Sequence, residues 1–272
     1  MKNYTSYDLI EWGKPFEKSQ HALPEPTLSE VLIRVTAAGL CHSDLHVQKG
    51  YMDLGEEGRL TFAERGAQLP MTFGHEIAGI VEAVGDKVKN VSIGQQVLVF
   101  PWIGCGDCLA CHENRESDCS AMRIIGLKQK GGFATHCLIE NEKFLVNIDG
   151  LDAAEVVPHA CSGITVYNAL EKIGSLRNGE WLAVMGCGGL GLNAIAIAGA
   201  MGFDNIIGID IDNSKLDAAR EMGVSKTLNS KSTNAVAELQ KYAESRLMAV
   251  IDTFGGESTG QLAVRALSLI HL

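Results

Sequence analysis

The sequence predicts a mixed α/β chain, with a β-rich first half followed by a doubly wound parallel sheet. Three observations predict it. Short β-branched runs punctuated by glycine fill residues 1–150. From Trp181 onward, apolar strand patterns alternate with helical ones. A glycine-rich turn joins the first strand of that alternation to the helix behind it.

In the first half, Val31–Val35, Ala78–Val84 and Gln96–Phe100 read as strands bounded by Gly, Asp or Pro. Tyr51–Pro70 is polar and carries both signs of charge, and it reads as a long surface loop. Loops of that length usually cover a site. In the second half, Trp181–Met185, Asn205–Ile211, Thr227–Asn229 and Met248–Asp252 read as strands. Leu192–Ala200, Ser214–Met222, Ala235–Ser245 and Glu257–Leu269 read as the helices between and after them. The domain boundary falls between Asp149 and Ile173, and it is placed at 155/156.

At 272 residues the chain is long enough for two cored domains. Acidic residues outnumber basic ones 33 to 23, for a net charge of −10, and the surplus is spread along the chain. No basic patch stands out, which argues against nucleic acid or an anionic membrane as partner. The longest apolar stretch, near Ala194–Met201, is too short to span a bilayer. Met1-Lys2-Asn3-Tyr4 lacks the apolar run of a signal peptide, so a cytoplasmic location is expected.

Gly186, Gly188 and Gly191 form GxGxxG directly after a strand and at the start of a helix. The first permits the tight turn, the second lets a pyrophosphate approach the backbone, and the third lets helix and strand pack closely. Gly189 and Leu190 fill the turn, where free N–H groups at the helix start face a dianion. Asp210 closes the next strand 24 residues after Gly186, placed to accept from both ribose hydroxyls. That favours NAD over NADP; taken alone, Asp210 also suits a strand-end turn. Lys215 would reach a ribose or phosphate, or else lie on a solvated helix face.

Eight cysteines need a reason, and in a reducing cytosol disulfides are not it. Cys105, Cys108, Cys111 and Cys119 have the spacing C-x2-C-x2-C-x7-C. Four thiolates complete a tetrahedral zinc shell with no open position, so this lobe, about 100–122, would hold a structural ion. An iron–sulfur cluster is the less favoured occupant, and His112 inside the loop is a competing ligand. Cys41, His75 and Cys161 are scattered and prove nothing singly, since a lone buried Cys is usually a small hydrophobe.

Gly-Leu-Cys-His-Ser-Asp at 39–44, Gly-His-Glu at 74–76, the four-cysteine lobe and the late GxGxxG occur in the order found in zinc-dependent medium-chain alcohol dehydrogenases. The chain resembles that family, especially its prokaryotic and archaeal members, over essentially its whole length. The resemblance implies a GroES-like catalytic domain at 1–155 and a Rossmann-type NAD domain at 156–272. It implies two zinc ions, with Cys41, His75 and Cys161 binding the catalytic one. It implies NAD-dependent oxidation of a primary or secondary alcohol to an aldehyde or ketone. Ser43 would accept the alcohol proton and pass it toward His46, although both also suit plain backbone hydrogen bonds. Asp44 would orient His75, Glu76 would be a transient fourth ligand, His42 would contact the pyrophosphate, and Thr165 would pack on the nicotinamide. Trp102 would line the substrate pocket or brace the lobe. Polyol or amino-alcohol substrates are the alternative within the family; its polyol members usually carry Glu where Cys161 stands. A zinc-binding interaction module is a third reading, supported by the lobe alone.

A six-stranded nucleotide domain needs two more strands than the four found here, so the sequence reads as lacking about 60 C-terminal residues. An inactive zinc-binding fragment is therefore also open. The full-length form would be a homodimer or homotetramer, and the Met248–Asp252 strand would be left as an uncovered edge.

Overall fold

The computed structural model describes residues Lys2–Ser268. The chain divides into two compact units after Cys161. The boundary expected at 155/156 lies slightly upstream, so Cys161 belongs with Cys41 and His75 in the first unit.

That unit is built on a five-stranded antiparallel sheet. Its order is His136–Ile139, Val31–Gly39, Glu76–Val84, Gln96–Val99, Leu145–Asn147. One core collects Val31, Ile33, Ile77, Val81, Val97, Val99 and Ile139, the β-branched runs legible in the sequence. Two strands are longer than expected. Val31–Gly39 runs on through Thr36-Ala-Ala-Gly, and the second strand begins at Glu76, because Gly39 and Glu76 are themselves paired. A second sheet, Glu17–Ala22, Asn3–Leu9, Met71–Thr72, lies in the same unit.

Tyr51–Pro70 is not the structureless loop expected. Tyr51–Asp53 and Arg59–Thr61 form a hairpin, and Phe62 and Ala67 are buried with Leu9, Val47 and Phe73. Two anchors suffice to fold a segment whose average polarity hides them.

Among its described residues the second unit has one four-stranded parallel sheet, ordered Lys226–Asn229, Ile206–Asp210, Trp181–Met185, Leu247–Asp252. Every residue of the two central strands is buried, as parallel strands covered on both faces require. Val166, Leu170, Ala194, Ile195, Leu216 and Ala219 cover one face, from helices Ser162–Ile173, Gly189–Ala200 and Asn213–Glu221. Ala235, Leu239, Leu262 and Ala266 cover the other, from helices Ala235–Tyr242 and Glu257–Ala266. The doubly wound expectation holds.

The last helix stops at Ala266, and Leu267 takes up a non-helical backbone; Leu269, the expected end, lies outside the described residues. The helix after the glycine turn begins at Gly189, not Leu192, because the turn glycines supply its first residues. Among the described residues Leu247–Asp252 is an edge strand, as anticipated.

Candidate active site and metal centres

Three separate segments of the first unit meet at one point. Cys41 follows the strand Val31–Gly39 and caps the helix His42–Lys49. The helical turn places Asp44 so that its Oδ2 accepts the Cys41 N–H at 3.0 Å. Its Oδ1 lies 3.3 Å from His75 Nδ1. With Nδ1 engaged, Nε2 is the nitrogen left for a metal. His75 stands between Gly74, whose φ is +89°, and the strand Glu76–Val84. Cys161 follows the 3-10 turn Val157–Ala160, where Val157 packs with Ala78 and Ile148.

Ligand atoms of Cys41, His75, Glu76 and Cys161 all lie within 4.8 Å of one another. Cys41 Sγ and Cys161 Sγ are 3.9 Å apart. Two sulfurs each 2.3 Å from a tetrahedral ion would stand about 3.8 Å apart, so the donors fit zinc in both chemistry and spacing.

The electrostatics agree. The hydrogen bond with Cys161, then those with His75 and Ser43, pull the Cys41 thiol down to about 3 against its burial. The same Cys41 contact, with burial, pushes Cys161 up. Burial opposes a charge on His75, but Asp44 and Cys41 together hold its pKa up, at about 10. Burial and the Cys41 charge raise Glu76 to about 7. Two thiols and two carboxylates around one imidazole are a crowded negative site, which a divalent cation balances.

Of the two residues expected to move a proton, Ser43 lies beside the ligands. Ser43 Oγ is 3.6 Å from Cys41 Sγ. His46 lies one helical turn on, its ring centroid 4.9 Å from that of the exposed His42.

The lobe assembles as its spacing predicts. Sulfurs of Cys105, Cys108, Cys111 and Cys119 lie within 4.8 Å of one another. Cys105 and Cys111 are 3.9 Å apart, Cys108 and Cys111 3.5 Å. The Cys105 N–H donates to Cys119 Sγ at 3.3 Å. His112 is exposed and stands outside this all-sulfur group. Trp102 sits in the short strand Trp102–Ile103, paired with Arg123–Ile124 and against Phe100.

In the second unit the glycine turn has the geometry its residues imply. Gly186 has φ +85°, and a Cβ on Gly191 would overlap the Gly186 carbonyl oxygen. Asp210 is buried, with Oδ2 accepting the Cys187 N–H at 2.8 Å and Oδ1 accepting those of Ile211 and Asp212 at 2.7 and 3.0 Å. Asp210 is therefore both the ribose candidate and the strut of the turn. Thr165 is exposed on its helix, and Lys215 is exposed early in Asn213–Glu221. One contributor went unread in the sequence. Thr253 Oγ1 donates to the carbonyls of Met185 and Gly186 at 2.9 and 3.0 Å, pinning the turn. Its signal was its place just beyond the carboxyl end of a strand, where such sheets bind ligands.

Residues 27–150 match the alcohol dehydrogenase GroES-like domain, and residues 189–269 match the zinc-binding dehydrogenase family. An NAD-dependent alcohol dehydrogenase of Sulfurisphaera tokodaii is 39% identical over 92% of this chain and 72% of its own length. The chain belongs to the zinc-binding alcohol dehydrogenase family. An NAD-dependent alcohol dehydrogenase of this family from Saccharolobus solfataricus is 38% identical over 96% of the chain and 74% of its own length. The crystal structure of the Aeropyrum pernix alcohol dehydrogenase superposes with a TM-score of 0.83, at 26% identity, covering 97% of this chain and 75% of that one. The D-arabinose dehydrogenase of Sulfolobus solfataricus superposes equally well, at 0.83 and 28% identity, over 98% and 79%.

Proposed function

We propose that this chain carries the zinc and nucleotide sites of an NAD-dependent alcohol dehydrogenase, which takes a primary or secondary alcohol to the aldehyde or ketone. The observation that carries this is the convergence of Cys41, His75 and Cys161 from three distant segments.

Those three residues would hold the catalytic zinc, and the four lobe cysteines a structural one. When bound, the catalytic zinc is a Lewis acid that makes a nearby alcohol hydroxyl more acidic. Ser43 accepts the alcohol proton at Oγ, and His46 passes it on to solvent. Asp44 fixes the His75 tautomer and tethers the Cys41 backbone. Glu76 waits beside the ligands as a further carboxylate donor. Gly186 to Gly191 cradle the pyrophosphate through backbone N–H groups, with Lys215 as a basic contact. Asp210 accepts from the ribose hydroxyls and so selects NAD. Thr165 packs against the nicotinamide.

Small sugars and polyols are the second reading, because the sugar dehydrogenase above superposes as closely as the alcohol dehydrogenase does. Among the described residues no helix is long and apolar enough to cross a membrane. We place the protein in the cytoplasm, as a homodimer or homotetramer. A panel of simple alcohols and polyols, assayed by NAD reduction with zinc counted per chain, tests the proposal. Two zincs and turnover of simple alcohols are expected. One zinc per chain, unaffected by Cys41→Ser, would refute the catalytic centre.

A further inference from the structure

Gly39, the last residue of its strand, pairs directly with Glu76, the first residue of the neighbouring strand. Its φ is not in the left-handed region, so the backbone there is open to alanine. Space is what forbids a side chain. A Cβ on residue 39 would overlap Glu76 Oε2 and lie 2.9 Å from Glu76 Cβ and 3.0 Å from Cδ. The Glu76 carboxylate is thus folded back over bare backbone at residue 39. It is buried there, and it stays within 4.8 Å of the Cys41, His75 and Cys161 ligand atoms.

We infer that Gly39 is a positioning residue: its missing side chain is the seat that keeps the Glu76 carboxylate beside the Cys41–His75–Cys161 cluster. The inference rests on reading that cluster as the catalytic zinc centre. A methyl group at residue 39 leaves two ways out. The strand pair can separate, at the expense of its ladder hydrogen bonds, or the Glu76 side chain can rotate. Rotation is the smaller disturbance, because the worst overlap is with the far end of a flexible side chain, and the 2.9 Å approach to Glu76 Cβ, which rotation leaves in place, asks for a slight backbone shift within the paired strands. A buried carboxylate cannot be moved without changing the charge around the ligands, since few alternative positions offer it partners. The consequence therefore falls on the metal centre while the strand pair stays closed.

The test is an epistasis measurement on the full chain, read as the rate at which a chelator strips zinc. The relevant phase is the one absent from Cys41→Ser, which separates this centre from the lobe. Gly39→Ala should change that rate by at least about twofold, the low end of coupling between touching side chains. In a Glu76→Gly parent, where all three colliding atoms are gone, adding Gly39→Ala should leave the rate unchanged. Glu76→Gln keeps the shape of the side chain but removes its charge, so Gly39→Ala should change the rate there by less than in wild type. No effect in wild type, or an equal effect in the Glu76→Gly parent, overturns the inference. If Gly39→Ala alone fails to fold, folding of Gly39→Ala/Glu76→Gly still upholds it, and failure of both overturns it. Absence of any Cys41-dependent zinc phase overturns the zinc centre itself and this inference with it. Presence of that phase with a flat response overturns only the inference.

Discussion

Cys41 Sγ and Cys161 Sγ stand 3.9 Å apart, although 120 residues of chain separate them. That spacing is what two thiolates on one tetrahedral ion require. Cys41→Ser should therefore abolish NAD-linked alcohol oxidation and remove one zinc of two, with the lobe still loaded. Metal analysis beside the rate assay checks it; full activity in the variant would show that the ligand assignment is mistaken.

Asp44 holds two partners at once, the Cys41 N–H and His75 Nδ1. Asp44→Asn keeps the size but removes the charge that fixes the imidazole. Zinc affinity at the catalytic centre should fall by about 10- to 100-fold, the usual effect of losing a ligand's hydrogen-bond partner. Competition titration with a chelator measures this, and an unchanged affinity would deny Asp44 its orienting role.

Asp210 accepts three backbone N–H groups around the glycine turn. Asp210→Gly should thus do two things, lowering the preference for NAD over NADP and destabilising the turn by about 0.5–1.5 kcal/mol for each hydrogen bond lost. Asp210→Asn retains acceptor capacity and should lose cofactor preference with a smaller drop in melting temperature. Equal melting losses in the two variants would show that the carboxylate is not the strut.

Asp8 supplies a pH prediction. Burial works against its charge, but hydrogen bonds from Thr72 Oγ1 at 2.6 Å and His21 Nε2 at 2.9 Å outweigh that and hold its pKa below the usual carboxylate value. A depressed folded-state pKa gives stability that is full above the unfolded pKa and lost as pH falls through the folded one. The stability gap between wild type and Asp8→Asn should accordingly shrink as pH falls below the ordinary carboxylate value of about 4. Denaturant midpoints across that range test it, and a gap that widened on acidification would refute the sign.

Burial pushes the Cys137 thiol up to about 12, and burial with the nearby Asp210 charge pushes Cys187 up to about 11. Both should resist alkylation in the folded protein at about pH 8 and react once it is unfolded. Mass spectrometry of iodoacetamide-treated protein decides this; native labelling of Cys187 would contradict the buried turn.

Much of this molecule is local in origin, and that part was legible. The lobe's four cysteines lie within fifteen residues, so their spacing alone implies a closed metal shell. Trp181–Met185 is a continuous apolar run because both its faces are covered, and its limits were read correctly. The long polar segment Tyr51–Pro70 misled because its two buried anchors, Phe62 and Ala67, are outvoted by charged neighbours. The roles of Thr253 and Gly39 were not legible, since each acts through a residue far away in sequence, Gly186 and Glu76.

Residue order by itself determined the two-part architecture, the glycine turn with its acidic partner, and the sulfur lobe, because each depends on neighbours a short chain distance apart. Only the tertiary structure decided that Cys41, His75 and Cys161 share one point, that Asp44 serves two of them, and that Glu76 rests over residue 39. Apart from the local bond between Asp44 and the Cys41 N–H, those are long-range contacts, brought together by strand pairing and core packing, and no local spacing encodes them.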